Sequence, residues 1–564
     1  MDRNRKIVII GGNACGMKTA ARLRRRAPSA DITVYEKGTF VSYGSCGFPY
    51  YASGAVKDYR SLIGGAGAIR DAAYFASVKG VRVITGHQVV AIDRKNKQLQ
   101  VLDMQQGEKK KCPYDTLVIA TGGIPARPEI DGLDRAAGIF TVTGMDEIMA
   151  LRTYVETNEV KEVVITGGGF IGVEMAEALK EKGLAITLVK KSDKILPALF
   201  DEEMSLLIAK YLQERGVKIL VGSDIARVVS DDSGKLKHVV TDRNETLPAG
   251  LLLITKGFVP NTELARKAGI TCGESGAIEV NAHMQTSDPD IYAGGDCVEC
   301  THLVTGQKVT LTLGSLANLQ GRVIADHIAG DEAVFPPVPA TTIFKIFDHT
   351  ACRTGITEKE ARENGYDYVS VIVPGADKPA FYPGTRPIIT KLIADRQTRK
   401  LLGAQILGPG DAAKRMEIVA TAITCGATVD QLSTLNLAYS PPYSPPIDNI
   451  INAVNTVINK MNGLAEGVSP LTVKQKFDRG EDFIYLDVRS RAEYKRMRID
   501  HSNVMLLPLG NLRKAGKQLP RDKEIIVSCM VSLRAYEGCL ILKAMGFENV
   551  KFMDGGLLAW PYPL

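Results

Sequence analysis

A unit of strand, glycine turn, helix and second strand occurs twice in this sequence, and that repetition constrains the fold more than any other feature. The first copy has an apolar run over Lys6–Ile10, a glycine-rich turn over residues 11–16 and a second apolar run over Asp31–Tyr35. A continuous apolar run is typical of a parallel strand that is buried on both faces. The second copy has an apolar run over residues 163–165 and the motif G-x-G-x-x-G over residues 167–172. The sequence therefore predicts two Rossmann-like nucleotide-binding domains in one α/β chain.

The glycines of each turn suit the binding of a pyrophosphate. A tight turn into a helix N-terminus points backbone N–H groups and the positive end of the helix dipole at the phosphates. In the first copy, Glu36 lies 20 residues after Gly16, where a carboxylate can accept a hydrogen bond from a ribose hydroxyl. Asn13 stands where the motif expects its middle glycine. The strand before, the helix after and the acid at this distance favour dinucleotide binding over a simple tight connection.

The second copy ends its second strand with Lys190, Lys191 and Ser192 rather than with an acid. An acid at that point pairs with the ribose 2′-hydroxyl of NAD and repels a 2′-phosphate, whereas basic and hydroxyl groups can accept the phosphate. These residues favour NADPH over NADH. Two lysines on a solvated loop are the alternative explanation, so both nucleotides stay open.

Composition and charge narrow the function classes. The 564 residues carry a net charge of +7, which over this length is too mild to indicate a nucleic-acid-binding protein. No apolar stretch reaches the about 18 residues of a membrane helix, and no signal-peptide pattern opens the chain. Ten cysteines are too sparse for a disulfide scaffold and fit reduced thiols. We therefore expect a cytoplasmic protein with small-molecule partners, no membrane span and no nucleic-acid partner.

The last part of the chain contains a second kind of candidate site, the sequence Cys529-x4-Arg534 between an apolar strand and a helix. A short loop in that place curls its N–H groups around the sulfur, and with the helix dipole and the arginine it stabilises a thiolate or persulfide anion. With Asp-Val-Arg over residues 487–489 before it and Trp560 after it, this stretch resembles a rhodanese domain, a sulfurtransferase fold. Ser532 stands where such loops usually have glycine, and a buried, inert Cys529 is the alternative to a sulfur carrier.

Residues from about 5 to 455 resemble the flavin-dependent pyridine nucleotide–disulfide oxidoreductases. The resemblance rests on the two nucleotide-binding units, on Ala-Thr-Gly over residues 120–122, and on residues 292–296, which end in Asp296. It implies that the first unit binds FAD, that the second binds NADH or NADPH, and that Asp296 bonds the ribitol chain of the flavin. The implied FAD contacts are Gly11, Gly12, Ala14, Gly16, Glu36, Lys37, Ser45, Thr121, Gly122, Gly295 and Asp296. The implied NAD(P)H contacts are Gly167, Gly169, Ile171, Gly172, Glu174, Lys190 and Gly257.

The two resemblances imply a division of the chain into domains. We expect an FAD-binding domain over residues 1–150 and 275–335, an NAD(P)H-binding domain over 151–274, an α/β dimerisation domain over 336–462, a linker over 463–469 and a C-terminal rhodanese domain over 470–564. A dimerisation domain implies a homodimer.

The redox centre implied by the resemblance is Cys46. Two-cysteine members of the family have a second cysteine five positions later, where this chain has Tyr51. Single-cysteine members include CoA-disulfide and CoA-persulfide reductases as well as NADH oxidases and peroxidases. The oxidases and peroxidases carry a histidine at the position of Ala14, so its absence favours the CoA-linked reductases. An NAD(P)H oxidase or peroxidase with an accessory rhodanese domain is the alternative.

Substrate contacts follow from the same resemblance. Arg22 and Arg25 lie on the first helix, where CoA-binding members place ligand contacts, and Ser42 belongs to the block around Cys46. Arginines of this kind can bind a phosphate of CoA. Two solvated arginines on a helix face are the alternative.

Tyr382 and Tyr439 match tyrosines that, in the family which this chain resembles, reach the cysteine of the partner subunit. A tyrosine hydroxyl can bond a sulfur anion or donate a proton to a leaving thiolate. Packing at an interface is the alternative role, and the neighbouring Tyr443 competes with Tyr439 for the assignment.

The sequence therefore predicts a flavoenzyme that reduces CoA persulfide, CoA disulfide or polysulfide with NAD(P)H through Cys46, whose thiol pKa we expect to be lowered. Cys529 is expected to accept sulfane sulfur and pass it on, with CoA as a substrate or bound ligand whose arm carries sulfur between the two cysteines. Cys297 and Cys300 form a C-x-x-C pair, and neither a second pair nor a histidine pair completes a metal site with it.

Overall fold

The structure is a computed structural model that describes residues 5–65 and 67–564. The chain divides into two compact units. The first unit comprises the residues up to Lys191, Gly222–His302 and Gly306–Val338, and the second comprises Ser192–Val221, Leu303–Thr305 and Pro339–Leu564. Among the helices of the described residues, none is both long enough and apolar enough to cross a membrane.

Strands and helices alternate along most of the chain. The strands are β1 (Lys6–Ile10), β2 (Asp31–Tyr35), β3 (Gly64–Gly65), β4 (Ala68–Ile69), β5 (Arg82–Ile84), β6 (His87–Asp93), β7 (Gln98–Asp103), β8 (Lys109–Pro113), β9 (Thr116–Ile119), β10 (Gly123–Pro125), β11 (Ile139–Phe140), β12 (Glu162–Thr166), β13 (Ala185–Lys190), β14 (Lys218–Val221), β15 (Ile225–Ser230), β16 (Leu236–Thr241), β17 (Thr246–Pro248), β18 (Leu251–Ile254), β19 (Phe258–Pro260), β20 (Ile291–Ala293), β21 (Cys300–Thr301), β22 (Lys308–Val309), β23 (Thr342–Ile346), β24 (His349–Gly355), β25 (Tyr368–Ala376), β26 (Pro387–Asp395), β27 (Leu401–Gly408), β28 (Glu466–Val468), β29 (Phe483–Asp487), β30 (Val504–Leu506), β31 (Glu524–Ser528) and β32 (Val550–Met553). The α-helices are α1 (Ala14–Arg26), α2 (Phe48–Ser53), α3 (Ala72–Lys79), α4 (Met145–Thr157), α5 (Phe170–Glu181), α6 (Glu202–Glu214), α7 (Glu263–Lys267), α8 (Gly314–Ile328), α9 (Glu358–Glu363), α10 (Ala412–Thr424), α11 (Val429–Ser433), α12 (Asn449–Met461), α13 (Pro470–Asp478), α14 (Arg491–Arg496), α15 (Leu509–Ala515) and α16 (Leu533–Ala544).

The first unit contains two parallel sheets of the predicted kind. The order in the first sheet is β20, β9, β1, β2 and β5, and all neighbouring pairs are parallel. In the second sheet β11, β18, β12 and β13 are parallel neighbours in that order. Strands β1, β2 and β12 each bury every residue but the first, as expected for strands covered on both faces. The predicted α/β class with two Rossmann-like sheets is confirmed.

The second unit begins with an antiparallel sheet in the order β23, β24, β27, β26 and β25. Helices α10 and α12 contribute apolar side chains to one core with this sheet. In α12 these side chains include Ile450, Val454 and Val457, which recur at helical spacing and therefore lie on one face. This sheet and its helices form the predicted α/β segment that follows the nucleotide-binding domains.

The C-terminal part of the second unit is a parallel sheet in the order β28, β32, β31, β29 and β30. Helices α15 and α16 share one apolar core with this sheet, and α13 with Trp560 shares another. The predicted linker over residues 463–469 needs a correction, because β28 pairs with β32 and belongs to this sheet. A Cβ on Gly467 would lie 2.4 Å from Oδ1 of Asp554. Gly467, inside the predicted linker, thus permits a close approach within the fold.

Buried charge anchors the antiparallel sheet to the segment that precedes it. The Lys391 side chain in β26 is 1% exposed, and its Nζ lies 3.1 Å from Glu203, 3.2 Å from Asp201 and 3.2 Å from Glu358. Burial acts to lower the pKa of Lys391, but the three carboxylates outweigh burial and the pKa is raised. Lys391 is therefore held charged in the core, where removal of any partner would leave unbalanced charge.

A second ion pair fastens the C-terminal sheet to the antiparallel one. Nζ of Lys460, near the end of α12, lies 3.0 Å from Oδ2 of Asp554 and donates to the carbonyl oxygen of Ser370 at 2.9 Å. Asp554 is buried, and burial raises its pKa while Lys460 acts in the opposite direction. From the neighbouring segment, Lys210 donates to the carbonyl oxygen of Trp560. The C-terminal sheet is thus docked by polar contacts as well as by packing.

We expect Lys460→Met to lower the free energy of unfolding by about 2 kcal/mol, because it leaves the Asp554 carboxylate buried without its cation. Trp560, the single tryptophan, is buried in the core of the same C-terminal sheet and reports on its unfolding. Urea unfolding followed by tryptophan fluorescence measures the change. The double variant Lys460→Met/Asp554→Asn should recover most of the loss, and an unchanged midpoint in the single variant would contradict the assignment.

Candidate active sites

The first glycine turn is shaped by close backbone contacts. Gly11 has φ +109°, and a Cβ there would lie 2.1 Å from the carbonyl oxygen of Ala120. A Cβ on Gly16 would lie 1.9 Å from the carbonyl oxygen of Gly11. Helix α1 can therefore begin directly at the carboxyl edge of the sheet only if these positions lack side chains. Ala14 is the first residue of that helix, as the pyrophosphate interpretation requires.

Glu36 closes the turn from the end of β2. Its carboxylate accepts hydrogen bonds from the N–H of Gly12 at 2.7 Å and of Gly38 at 2.8 Å. Each oxygen keeps a free lone pair for a ribose hydroxyl. In the same turn, Oδ1 of Asn13 is buried and has no partner among the described residues. A buried acceptor without a donor and an open glycine cradle fit a bound dinucleotide with hydroxyl groups.

Four further residues predicted to contact FAD follow strands at the same edge of the first sheet, whereas Ser45 lies in the turn of Cys46. Thr121 follows β9 and donates from Oγ1 to the carbonyl oxygen of Asn261, and Gly122 has φ +67°. Gly295 follows β20 and donates its N–H to Oε1 of Gln320 at 2.7 Å. Burial raises the pKa of the adjacent Asp296 to about 6. These residues fit the flavin site that the resemblance implies.

Cys46 lies in a short 3-10 turn and is exposed. A Cβ built on Gly314, the first residue of α8, would lie 4.0 Å from its sulfur, so the positive end of a 15-residue helix faces the thiol. Ser42, four residues earlier, has φ +54°, an uncommon conformation outside glycine. Backbone strain at such a position is often found at functional sites.

The side chains around Cys46 do not lower the pKa of its thiol, as we had expected, but raise it. Partial burial of the sulfur raises its pKa, and the carboxylates of Glu174 and Asp296 raise it further. A backbone hydrogen bond within the turn and the N-terminus of α8 act in the opposite direction. The expectation of a lowered pKa is therefore corrected, because it took no account of the burial of the sulfur or of the acids that the fold brings near it.

Glu174 is the acid that the structure connects most directly to Cys46. It lies on α5, and burial together with Glu177 raises its pKa to about 7. Below that pH the carboxyl is neutral, and above it the negative charge opposes formation of the Cys46 thiolate. The protonation of Glu174 thus sets the charge that the thiol experiences near neutral pH.

The second glycine turn repeats the geometry of the first. A Cβ on Gly167 would lie 2.2 Å from the carbonyl oxygen of Thr255, and one on Gly172 would lie 2.2 Å from that of Gly167. Gly169 is the N-cap of α5 and has open space beside it. Ile171 lies in the first turn of that helix, and Gly257 has φ +97° after β18. The turn leaves room for a second pyrophosphate.

Lys190 ends β13 at the point where an acid would select NAD. Burial lowers its pKa first, and the neighbouring Lys256 adds to the effect, whereas Asp224 opposes it. Lys256 is neutralised by Asp224, since its Nζ lies 2.5 Å from that carboxylate. No carboxylate of residues 5–65 and 67–564 lies within ion-pair distance of Lys190, so its amine is available where a 2′-phosphate would fit.

The two predicted CoA arginines differ in their surroundings. Arg22 is held by Asp326 in a two-pronged ion pair with distances of 2.6 and 3.1 Å. Arg25 is exposed on the same helix, and no ion pair to it occurs among the described residues. Arg25 is thus the better placed of the two to bind a phosphate, while Arg22 ties α1 to α8.

The predicted tyrosines lie in loops of the second unit. Tyr382 is half-buried, and its carbonyl oxygen accepts from Thr385 at 2.7 Å. Tyr439 is 50% exposed and Tyr443 is 69% exposed. Exposed tyrosines in a dimerisation segment are available to a second subunit, and the structure does not separate Tyr439 from its rival.

The Cys529 loop has the form expected of a sulfur-binding loop. Cys529 is buried, and its carbonyl oxygen accepts from the N–H of Leu557 at 2.9 Å. Ser532 has φ +74°, which explains why glycine is usual at this place, and its hydroxyl donates to the carbonyl oxygen of Met553. The loop rim stays accessible, because Leu533 is 63% exposed.

Arg534 has a partner that sequence reasoning missed. Its guanidinium donates to both carboxylate oxygens of Glu493, at 2.6 and 2.9 Å. This pair raises the pKa of Arg534, to which Cys529 also contributes. The available signal was the spacing of Ser490 and Glu493, which form a capping box at the start of α14.

Cys297 and Cys300 are both free and buried. Cys297 donates to the carbonyl oxygen of Gly294, and Cys300 accepts from Nε2 of Gln320 at 3.2 Å. Within the described part of the chain, no group of three or more histidine, cysteine or acidic side chains is arranged to hold a metal ion. The pair packs beside the predicted flavin site.

Two dinucleotide cradles, an exposed cysteine at the edge of the first cradle's sheet and a buried cysteine in an arginine loop define a redox protein with a sulfurtransferase module. The family models agree. Residues 5–321 match the pyridine nucleotide-disulphide oxidoreductases, residues 341–449 match the dimerisation domain of that family, and residues 469–561 match rhodanese-like domains. The chain belongs to the pyridine nucleotide-disulphide oxidoreductase family and carries a rhodanese-like domain.

Individual proteins resemble the chain over different lengths. It is 34% identical to an NAD(P)H coenzyme A polysulfide/persulfide reductase of Pyrococcus horikoshii over 79% of this chain and 97% of that protein. It is 32% identical to an NADH oxidase of Methanocaldococcus jannaschii over 81% of this chain and 99% of that protein. The structure of an NAD-dependent persulfide reductase from A. fulgidus is 42% identical, with a TM-score of 0.93, over 98% of this chain and 100% of the other. The predicted family and fold are confirmed.

We expect Glu174→Gln to increase the rate at which iodoacetamide alkylates Cys46 at pH 8, because the variant removes a negative charge that raises the thiol pKa. Peptide mass spectrometry identifies the modified cysteine. At pH 5.5, where the Glu174 carboxyl is protonated, the two rates should converge. Glu181→Gln, on the exposed end of the same helix, is the matched control. Equal rates for wild type and Glu174→Gln at pH 8 would refute the coupling.

Proposed function

We propose that this protein uses NAD(P)H to reduce sulfane sulfur carried on coenzyme A, with CoA persulfide as the main substrate and CoA disulfide or polysulfide as related ones. The observation that carries the proposal is the combination, in one chain, of an exposed cysteine near Asp296 and Glu174 with a buried cysteine in an arginine loop. The first suits exchange with an external sulfur species, and the second suits storage of sulfane sulfur.

The sulfur step uses Cys46 as the nucleophile. Its thiolate attacks the CoA-bound sulfur of CoA–S–SH, which breaks the S–S bond, releases HS⁻ and forms a mixed disulfide between Cys46 and CoA. Two electrons and one proton then convert the mixed disulfide to the Cys46 thiolate and CoA–SH. FAD, when bound, transfers those electrons from NAD(P)H. The N-terminus of α8 supports the thiolate, and a protonated Glu174 carboxyl is available to donate the proton.

Other residues have supporting roles in this proposal. Glu36 and the glycines of the first turn hold FAD, and those of the second turn hold NAD(P)H. Arg25 contributes to binding a CoA phosphate, with Ser42 beside Cys46. The chain acts as a cytoplasmic homodimer in which Tyr382 and Tyr439 approach the partner subunit's cysteine. Exposure of both loops supports that role.

An NAD(P)H oxidase with an accessory rhodanese domain is the second candidate, and the relative named as an NADH oxidase favours it. Ala14 stands at the position where the resemblance implies a histidine in oxidases and peroxidases. A methyl group cannot serve as the acid–base group for peroxide reduction. The persulfide reductase is therefore the preferred conclusion.

Anaerobic stopped-flow turnover tests the function. We expect CoA persulfide to reoxidise the NAD(P)H-reduced enzyme rapidly, and Cys46→Ser to abolish this reaction, because Cys46 is the thiol that forms the mixed disulfide in the proposed step. Cys425→Ser changes another exposed cysteine and should keep full activity. Reoxidation by oxygen or peroxide alone would transfer the protein to the oxidase class.

Lys190 provides a test of nucleotide choice. We expect Lys190→Met to raise KM for NADPH about fivefold while leaving KM for NADH nearly unchanged, since one solvent-accessible charge contact contributes up to about 1 kcal/mol. Lys191→Met removes the adjacent exposed lysine and serves as the control. An equal change of KM for NADPH and for NADH in Lys190→Met would show that this lysine does not select between the two nucleotides.

A further inference from the structure

The C-terminal domain holds most of the chain's excess positive charge. From residue 470 onward there are 16 lysines and arginines against 11 acids, a net charge of +5 out of +7 for the whole chain. Many of these cations are paired. The ion pairs include Lys476 with Glu481 and Glu524, Lys523 with Asp482, and Lys551 with Glu466 and Glu524.

One cluster of cations is left unpaired beside the sulfur-binding loop. Arg491, Lys495, Arg496 and Arg498, here called the α14 ridge, are all exposed. Across residues 5–65 and 67–564, no carboxylate lies within ion-pair distance of any of them. Arg498 instead stacks over the ring of Tyr494, with 5.4 Å between its guanidinium carbon and the ring centroid.

The ridge is tied to the loop of Cys529 by the Arg534–Glu493 pair. Glu493 is the only acid between residues 489 and 498, and it is occupied by Arg534 and by the capping bonds from Ser490. The hydrogen bond from Arg534 holds the pKa of Glu493 well below its usual range. The single acid of the segment therefore neutralises the loop arginine and leaves the ridge uncompensated.

The burial of Cys529 restricts what can deliver sulfur to it. The residue is fully buried while Leu533 on the loop rim is 63% exposed. A donor must therefore reach inward with a slender chain while any bulky head group stays outside. A head group with several negative charges would meet the ridge, because arginines bind phosphates through paired hydrogen bonds.

We propose that the α14 ridge is a binding site for the phosphate-bearing head of CoA persulfide, which delivers its terminal sulfur directly to Cys529. This inference rests on the proposed function for the choice of carrier. In the transfer, the Cys529 thiolate attacks the terminal sulfur of CoA–S–S⁻. The S–S bond of the donor breaks, CoA–S⁻ leaves, and Cys529–S–S⁻ forms, with no net oxidation.

The test measures sulfur transfer to cyanide without NAD(P)H, in full-length protein carrying Cys46→Ser. Cyanide takes the sulfane sulfur from Cys529–S–S⁻ and yields thiocyanate and the free thiolate, so the assay is independent of flavin reduction. Cys529→Ser provides the blank. CoA persulfide is compared with pantetheine persulfide, which has the same arm and no phosphates.

We expect Arg491→Gln/Arg496→Gln/Arg498→Gln to raise KM for CoA persulfide about tenfold, as the loss of three exposed charge contacts implies. KM for pantetheine persulfide should stay unchanged. Added salt should weaken CoA persulfide binding in the parent protein and have little effect in the triple variant.

The matched control is Arg513→Gln/Lys514→Gln/Lys517→Gln, which removes three exposed and unpaired charges on α15 and the turn after it. An equal increase of KM for CoA persulfide in this control would show that the overall positive charge of the domain attracts the substrate, and it would overturn the proposed site. Equal effects on both donors, or none, would overturn it as well. If the ridge triple variant fails to fold, Arg496→Gln alone should raise KM for CoA persulfide two- to threefold. A role in helix stability alone would move the unfolding temperature and leave KM unchanged.

If thiocyanate forms as expected in the cyanide assay while the enzyme with Cys46 intact shows no NAD(P)H-dependent turnover, the proposed reductase function is wrong and the proposed binding site on the ridge stands. The converse result, normal turnover with no effect of the ridge variant in the cyanide assay, removes the ridge and leaves the reductase intact.

Discussion

The close approach of a helix to a strand at each glycine turn is the constraint on which the first unit depends. At Gly16 and Gly172 a Cβ would lie only 1.9 and 2.2 Å from a backbone oxygen, far inside van der Waals contact. Removal of those side chains lets α1 and α5 begin at the carboxyl edges of their sheets. The N–H groups and dipoles of both helices then face the places where pyrophosphates would lie. Asp296 and the Thr121 turn reach the same edge because β20 and β9 run parallel to β1.

Buried charge performs a different task in the second unit. Lys391 among three carboxylates and Lys460 beside Asp554 fix segments that are distant in sequence. Breaking either contact would leave a buried charge without its partner, so these segments are held firmly in place. The Arg534–Glu493 pair is smaller and more exposed, and it aligns the loop arginine with Cys529. Placing the one acid of the α14 segment in that pair also leaves the α14 ridge charged. A structural contact and a binding surface thus arise from the same carboxylate.

Local patterns predicted much of this protein because they act over short distances. The bounds of β1 and β2 coincide with the predicted apolar runs, and the C-x4-R sequence does run from a loop after β31 into the first turn of α16. Predictions that depended on neighbours from elsewhere in the chain were weaker. Arg22 was expected at a phosphate and is held by Asp326, 304 residues away. The pKa of Cys46 was expected to be low and is raised by burial and by acids that other elements contribute.

The sequence by itself determined the two nucleotide cradles, the single redox cysteine and the sulfur-binding loop, since each depends on residues within one turn or one strand–helix unit. Tertiary structure decided which charges are cancelled. Glu493 is drawn to Arg534, Asp224 to Lys256 and Asp554 to Lys460, while Lys190 and the α14 ridge have no ion-pair partner among the described residues. Electrostatic interactions reach across the fold, and their strength depends on burial. No local pattern contains that information, so the protonation and ligand preference of these sites became evident only in the folded chain.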